Sequence, residues 1–79
     1  MALVKSIKRV TKDRQNLHEE TTCLASVFTD DEGRRYVQLD TYGSKSRKMP
    51  HKASQAVQFD ERSAGQLKKL IEEVFPDLT

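Results

Sequence analysis

A single cysteine, Cys23, stands in this chain of 79 residues. An intrachain disulfide is therefore excluded, and so is a cysteine-rich structural zinc site, which needs several thiolates on one ion. No apolar run approaches the ~20 residues of a membrane-spanning helix. The opening MALVKSIKRV interleaves Lys and Arg with its apolar residues and lacks the continuous apolar region of a secretory signal. A soluble, cytoplasmic protein without membrane contact is the expectation. A strong charge of one sign is missing too: net charge is +2 and the isoelectric point about 8.8. The only histidines are His18 and His51, and no recognisable spacing joins either to Cys23 as base and nucleophile. Gly43-Ser44-Lys45-Ser46 lacks the glycine spacing and the Lys-Ser/Thr ending of a phosphate loop. Asp30-Asp31-Glu32 lacks the ligand spacing of a calcium hand. These absences point away from an enzyme and away from a bound cofactor or metal.

What is present is 35% hydrophobic and 33% charged, enough for one small domain over residues 1–79. Its core is marginal at this size, and small domains are commonly completed by disulfides, metal or self-association. With the first two set aside, a homodimer is expected.

Periodicity gives the elements. ALVKSIKRVT, 2–11, fits a helical face and a strand almost equally, and its β-branched content favours a strand. TTCLASVFT, 21–29, is rich in β-branched and aromatic residues, with apolar groups on both alternating faces. DDEGR, 30–34, is a turn, and RYVQLDTY, 35–42, alternates, so 21–42 reads as a hairpin. Val37 and Leu39 point one way; Tyr36, Gln38, Asp40 and Tyr42 point the other. SQAVQF, 54–59, is a further short strand with Val57 and Phe59 on its core side. In DERSAGQLKKLIEEVFP, Asp60 is a natural N-cap and Glu61 complements the dipole. Ala64, Leu67, Leu70, Ile71 and Val74 make one apolar stripe, and Pro76 stops the helix. Gly65 inside it suggests close packing on the sheet. The predicted fold is α+β: a small antiparallel sheet of three to four strands with one C-terminal helix packed on one face, the other face open.

Charge is unevenly spread. Residues 43–55 hold Lys45, Arg47, Lys48 and Lys52 and no acid. Residues 1–18 hold Lys5, Lys8, Arg9, Lys12 and Arg14 against Asp13 alone. The acids gather at Glu19-Glu20, at the turn and in the C-terminal quarter. A basic loop with Ser44, Ser46 and Ser54 offers cations and hydroxyls to phosphates. Tyr36 and Tyr42, on the open face and ~20 Å apart, can stack on well-separated bases. Asp40 lies between them and would repel a nucleic-acid backbone. The plainer reading of the loop is a solvated surface, and of the tyrosines, packing residues with a wet hydroxyl.

The stretch YVQLDTYGSKSRKMPHKASQAVQFDERSAGQLKKLIEEVF, 36–75, resembles the transcriptional positive-cofactor family of single-stranded-DNA-binding proteins. The likeness is one of arrangement: a strand ending near an aromatic, a basic loop with Gly and Pro, a short strand, then an acid-capped helix with leucine spacing. It implies a curved four-stranded sheet with one helix, dimerisation through that helix, and single strands gripped on the sheet. The matching positions are Tyr42, then Arg47, Lys48 and Lys52, then Leu67, Leu70 and Ile71. The chain departs from the pattern in a longer basic loop, in Ala53-Ser54-Gln55 where a glycine is expected, and in an N-terminal part without a counterpart.

Two functions are therefore expected. The first is binding of single-stranded DNA or RNA, largely without sequence preference, in transcription or replication control. Tyr36, Tyr42, Lys45, Arg47, Lys48 and Lys52 would carry it, and Lys5, Lys8 and Arg9 would extend the track. The alternative is a small protein-interaction module, a regulator or phage-type inhibitor of a larger host protein, with the basic loop meeting an acidic partner surface.

Overall fold

The computed structural model describes residues 1–42 and 55–78. Four strands and a helix follow in order: β1 (Ala2–Val4), β2 (Cys23–Thr29), β3 (Arg35–Thr41), β4 (Gln55–Phe59) and α1 (Glu61–Val74). They form one sheet in the order β1-β4-β3-β2, with α1 on one face.

β2 and β3 make the expected hairpin, in a register that sets Val27 opposite Val37 and Phe28 opposite Tyr36. Its turn closes on Asp30 and Arg34: the Asp30 N–H donates to the Arg34 carbonyl at 2.9 Å, and the Gly33 N–H to the Asp30 carbonyl at 3.1 Å. Gly33 sits at φ +82, the left-handed conformation that a three-residue hairpin loop with a bulge requires. β3 and β4 are antiparallel, with Val37 against Phe59 and Leu39 against Val57.

The sheet is mixed, not wholly antiparallel: β1 lies parallel to β4, with Val4 against Phe59. Antiparallel neighbours can be joined by short turns, whereas a parallel pair needs a long crossover. Residues 5–22 let the chain leave β1 and re-enter the sheet at β2. The strand expected over 2–11 is accordingly cut to Ala2–Val4. Beyond it the backbone turns onto the helix: Lys5 Nζ reaches Asp60 at 2.7 Å, the Ile7 N–H donates to Gln66 Oε1 at 2.7 Å, and Arg9 meets Glu73 at 3.3 Å. The N-cap Asp60 and two side chains of α1 thus take the segment that a fourth row of β1–β4 pairing would have used.

α1 starts on a capping box. Asp60 Oδ1 accepts from the Ser63 N–H at 2.9 Å, and the Asp60 N–H donates to Ser63 Oγ at 3.0 Å. The helix ends at Val74, two residues before Pro76. Gly65 is exposed, and a Cβ built there would meet nothing within 4 Å, so close packing does not explain it.

The core is thin. Among the described apolar side chains only Phe59 is buried, at 9% exposure. Between α1 and the β3 side of the sheet runs an apolar groove of about 500 Å³, lined by Val37, Leu39, Phe59, Leu67, Ile71 and Leu78 among others. The whole of β2 is exposed. Among the described residues no helix is long and apolar enough to cross a membrane.

Candidate functional site

The strand alternation leaves Tyr36, Gln38, Asp40, Phe28 and Gln58 on the sheet face away from α1. This open face has an aromatic end and a polar middle.

The aromatic end is built by the hairpin turn. Asp30 Oδ1 accepts from the backbone N–H groups of Glu32 and Arg34, each at 2.9 Å. Its other oxygen takes Arg34 Nε at 3.1 Å and the Tyr36 hydroxyl at 3.0 Å. These donors, the Arg34 backbone foremost, hold the Asp30 carboxyl below its usual range. The same hydroxyl bond pushes the Tyr36 phenol up, keeping it a protonated donor. Tyr36 is thereby fixed, and Phe28, directly across the ladder, stacks on it with centroids 5.3 Å apart and rings 19° from parallel. Phe28 remains 40% exposed, so the pair presents an aromatic surface to solvent.

At this end of the sheet a cleft of about 460 Å³ is lined by Lys5, Arg34, Arg35, Arg62, Tyr36 and Asp60, with Gly33 and Glu61. Four cations face two carboxylates there. Lys5 is bound to Asp60, and Arg34 is shared between Asp30 and Glu32. Asp60 is held well below the usual carboxylate range, chiefly by Lys5 and then by the Ser63 N–H and hydroxyl.

In the middle of the face lies a chain of side-chain amides. Gln58 Nε2 donates to Gln38 Oε1 at 2.8 Å, and Gln38 Nε2 donates to Asp40 at 3.0 Å. Asp40 therefore sits where expected but with an amide partner. At the far end Tyr42 follows β3, its carbonyl accepting from Thr21 Oγ1 at 2.9 Å.

The sequence-predicted residues divide accordingly. Tyr36 and Tyr42 lie at opposite ends of β3 and do not form one site. Lys45, Arg47, Lys48 and Lys52 lie outside the described residues. Lys5 pairs with Asp60 and lines the cleft at the turn end, whereas Arg9 is directed to Glu73 of α1. Phe28 was absent from the expectation, as were Arg34, Arg35 and Arg62. The signal for Phe28 was the turn itself: closing DDEGR on Asp30 and Arg34 fixes the register that brings Phe28 beside Tyr36. Arg34 and Arg35 are neighbours in sequence at the start of β3, and Arg62 and Lys5 join them only through folding.

Among the described residues no group of three or more His, Cys, Asp or Glu is placed to hold a metal ion. No family model matches the chain, and neither does any curated protein or solved structure.

Proposed function

We propose that this protein binds single-stranded nucleic acid on its open sheet face, largely without sequence preference, as a binding protein and not as an enzyme. The observation that carries the reading is the exposed Phe28–Tyr36 stack beside a cleft holding Lys5, Arg34, Arg35 and Arg62. Bases stack on aromatic side chains whatever their identity, at ~1–3 kcal/mol each, while cations hold the backbone. Gln38 and Gln58 add amide groups able to hydrogen-bond base edges. Tyr42 stands at the other end of β3, and the acid-free basic segment 43–55 that follows it in sequence would supply further cations. The resemblance of 36–75 to the positive-cofactor family belongs to this proposal, as does a role in transcription or replication control.

The test is fluorescence anisotropy with labelled single-stranded and duplex DNA over a range of salt concentrations. Four phosphate contacts to a single strand give a log–log salt slope of roughly −2.8. Single strands should bind more tightly than duplex, and F28A should weaken binding by about 5- to 100-fold at every salt concentration. Absence of binding at low salt, or an F28A protein that binds like the wild type, would overturn the proposal.

A second reading, a protein-interaction module, is favoured by one observation: β2 carries no charged residue and is exposed along its length. Capture of a partner that survives nuclease treatment would support it against the first.

A further inference from the structure

The two edges of the described sheet are unlike. β1 has three residues, and a short edge strand offers little to pair with. β2 has seven, Cys-Leu-Ala-Ser-Val-Phe-Thr, with no charge and no proline. Leu24 is 53% exposed on one face and Val27 69% on the other. Charge and proline, two usual defences of a sheet edge, are absent from β2.

We propose that β2 is the seam of a homodimer, in which two copies pair this strand antiparallel about a two-fold axis at Ser26. The backbone is set for that register. Asp30 gives its N–H to the Arg34 carbonyl, so by alternation Leu24, Ser26 and Phe28 turn their backbone groups toward β3. Cys23, Ala25, Val27 and Thr29 then turn theirs outward. An axis at Ser26 sets Ala25 against Val27 of the second copy and Cys23 against its Thr29, all outward-facing groups in hydrogen-bonding pairs. It also sets Leu24 against Phe28 of the second copy in the close, non-hydrogen-bonded pair. Each side chain keeps its face, because the register is even.

Area points to a second copy as well. Leu24, Val27 and Phe28, with Val37 and Leu78 by the adjoining groove, expose on the order of 500 Å² of apolar surface per copy, and the strand backbone adds to it; a standard interface takes ~800 Å² per partner. Leu24 and Phe28 lie on one face of the edge and Val27 on the other, so a second strand laid along β2 would cover apolar side chains on both faces. The seam is uncharged, so two chains of net charge +2 meet there without like-charge contact. Pairing would join the two open faces and bring a second Phe28–Tyr36 stack ~14 Å from the first, four residues along the ladder. The inference stands independently of nucleic-acid binding.

Sedimentation equilibrium of the full chain from low to high micromolar concentration should show a dimer. V27D, at a site exposed in the single chain, should keep its far-UV circular dichroism and weaken dimerisation at least ~100-fold, since a carboxylate in the seam is desolvated. T29C tests the register. Cys23 of one copy then faces the introduced thiol of the other at the spacing a disulfide spans, while within one chain the two are six residues apart along an extended strand. Mild oxidation should give a covalent dimer from T29C and none from C23S/T29C. A monomeric wild type, a dimer unaffected by V27D, or a T29C protein that does not cross-link would each overturn the proposal. The first outcome would leave the edge to a different protein, and the second would move the dimer to another surface such as α1.

Discussion

At the scale of single residues, two aspartates do most of the local organising. Asp60 caps α1 and holds Lys5; Asp30 gathers two backbone N–H groups, Arg34 and Tyr36. Both have carboxyl groups held below the ordinary value of 3.8. A depressed folded-state value means stability that is complete well above 3.8 and drains as pH falls past it toward the lower folded value. Asp60→Asn keeps a capping oxygen and loses the charge. It should therefore be less stable than the wild type at pH 7, and the difference should narrow below pH ~4, as read by urea unfolding at each pH. An unchanged gap at low pH would show that the cap and not the charge matters. Gly65 is the opposite kind of residue. It is exposed, in a helix interior, with open space where a Cβ would go. Gly65→Ala should raise stability by about 1 kcal/mol, or Tm by about 4–8 °C, in a thermal melt.

At the scale of elements, the hairpin and the helix are each closed by local bonds, and each positions something beyond itself. The turn fixes the register of β2 on β3, and the register makes the Phe28–Tyr36 stack. Gly33 is the joint on which this depends, at φ +82. Gly33→Ala places a Cβ in the left-handed region, which costs about 1–2 kcal/mol. It should lower Tm by several degrees and loosen the stack, visible as a reduced near-UV tyrosine signal. The helix is tied on one side by the segment 5–9, through Asp60, Gln66 and Glu73. Its other side borders the apolar groove over β3. That asymmetry points the molecule's uncovered apolar surface toward β2.

At the scale of the whole molecule, the open face and the charge distribution bear on function together. A cation-lined cleft stands at the turn end of the sheet, and the basic segment 43–55 begins from Tyr42 at the other end. If both ends hold phosphates, reversing charge at Arg47 and Lys48 together should weaken single-strand binding by more than tenfold at low salt. It should also flatten the log–log salt slope by about 1.4, the share of two contacts. Unchanged affinity and slope would confine binding to the turn end. The thin core belongs to this scale too: among the described residues Phe59 is the one buried apolar side chain, which leaves little internal stabilisation there and much apolar edge to cover.

The sequence by itself determined the elements whose signals are local. The alternation of 35–42, the turn chemistry of DDEGR, the Asp60 cap and the stripe from Ala64 to Val74 all act within a few residues of themselves. The hairpin, the helix and the α+β class were legible from them. The tertiary structure decided what depends on distant partners. Ala2–Val4 is a strand because β4 offers it an edge, and Lys5 to Arg9 leave the sheet because Asp60, Gln66 and Glu73 lie on the helix. Phe28 becomes part of a site because a register sets it on Tyr36, and Arg34, Arg35, Arg62 and Lys5 share a cleft because strand order brings one end of three elements together. Local patterns report the conformation a segment prefers; the burial and hydrogen bonding between distant segments decide which of those preferences meet.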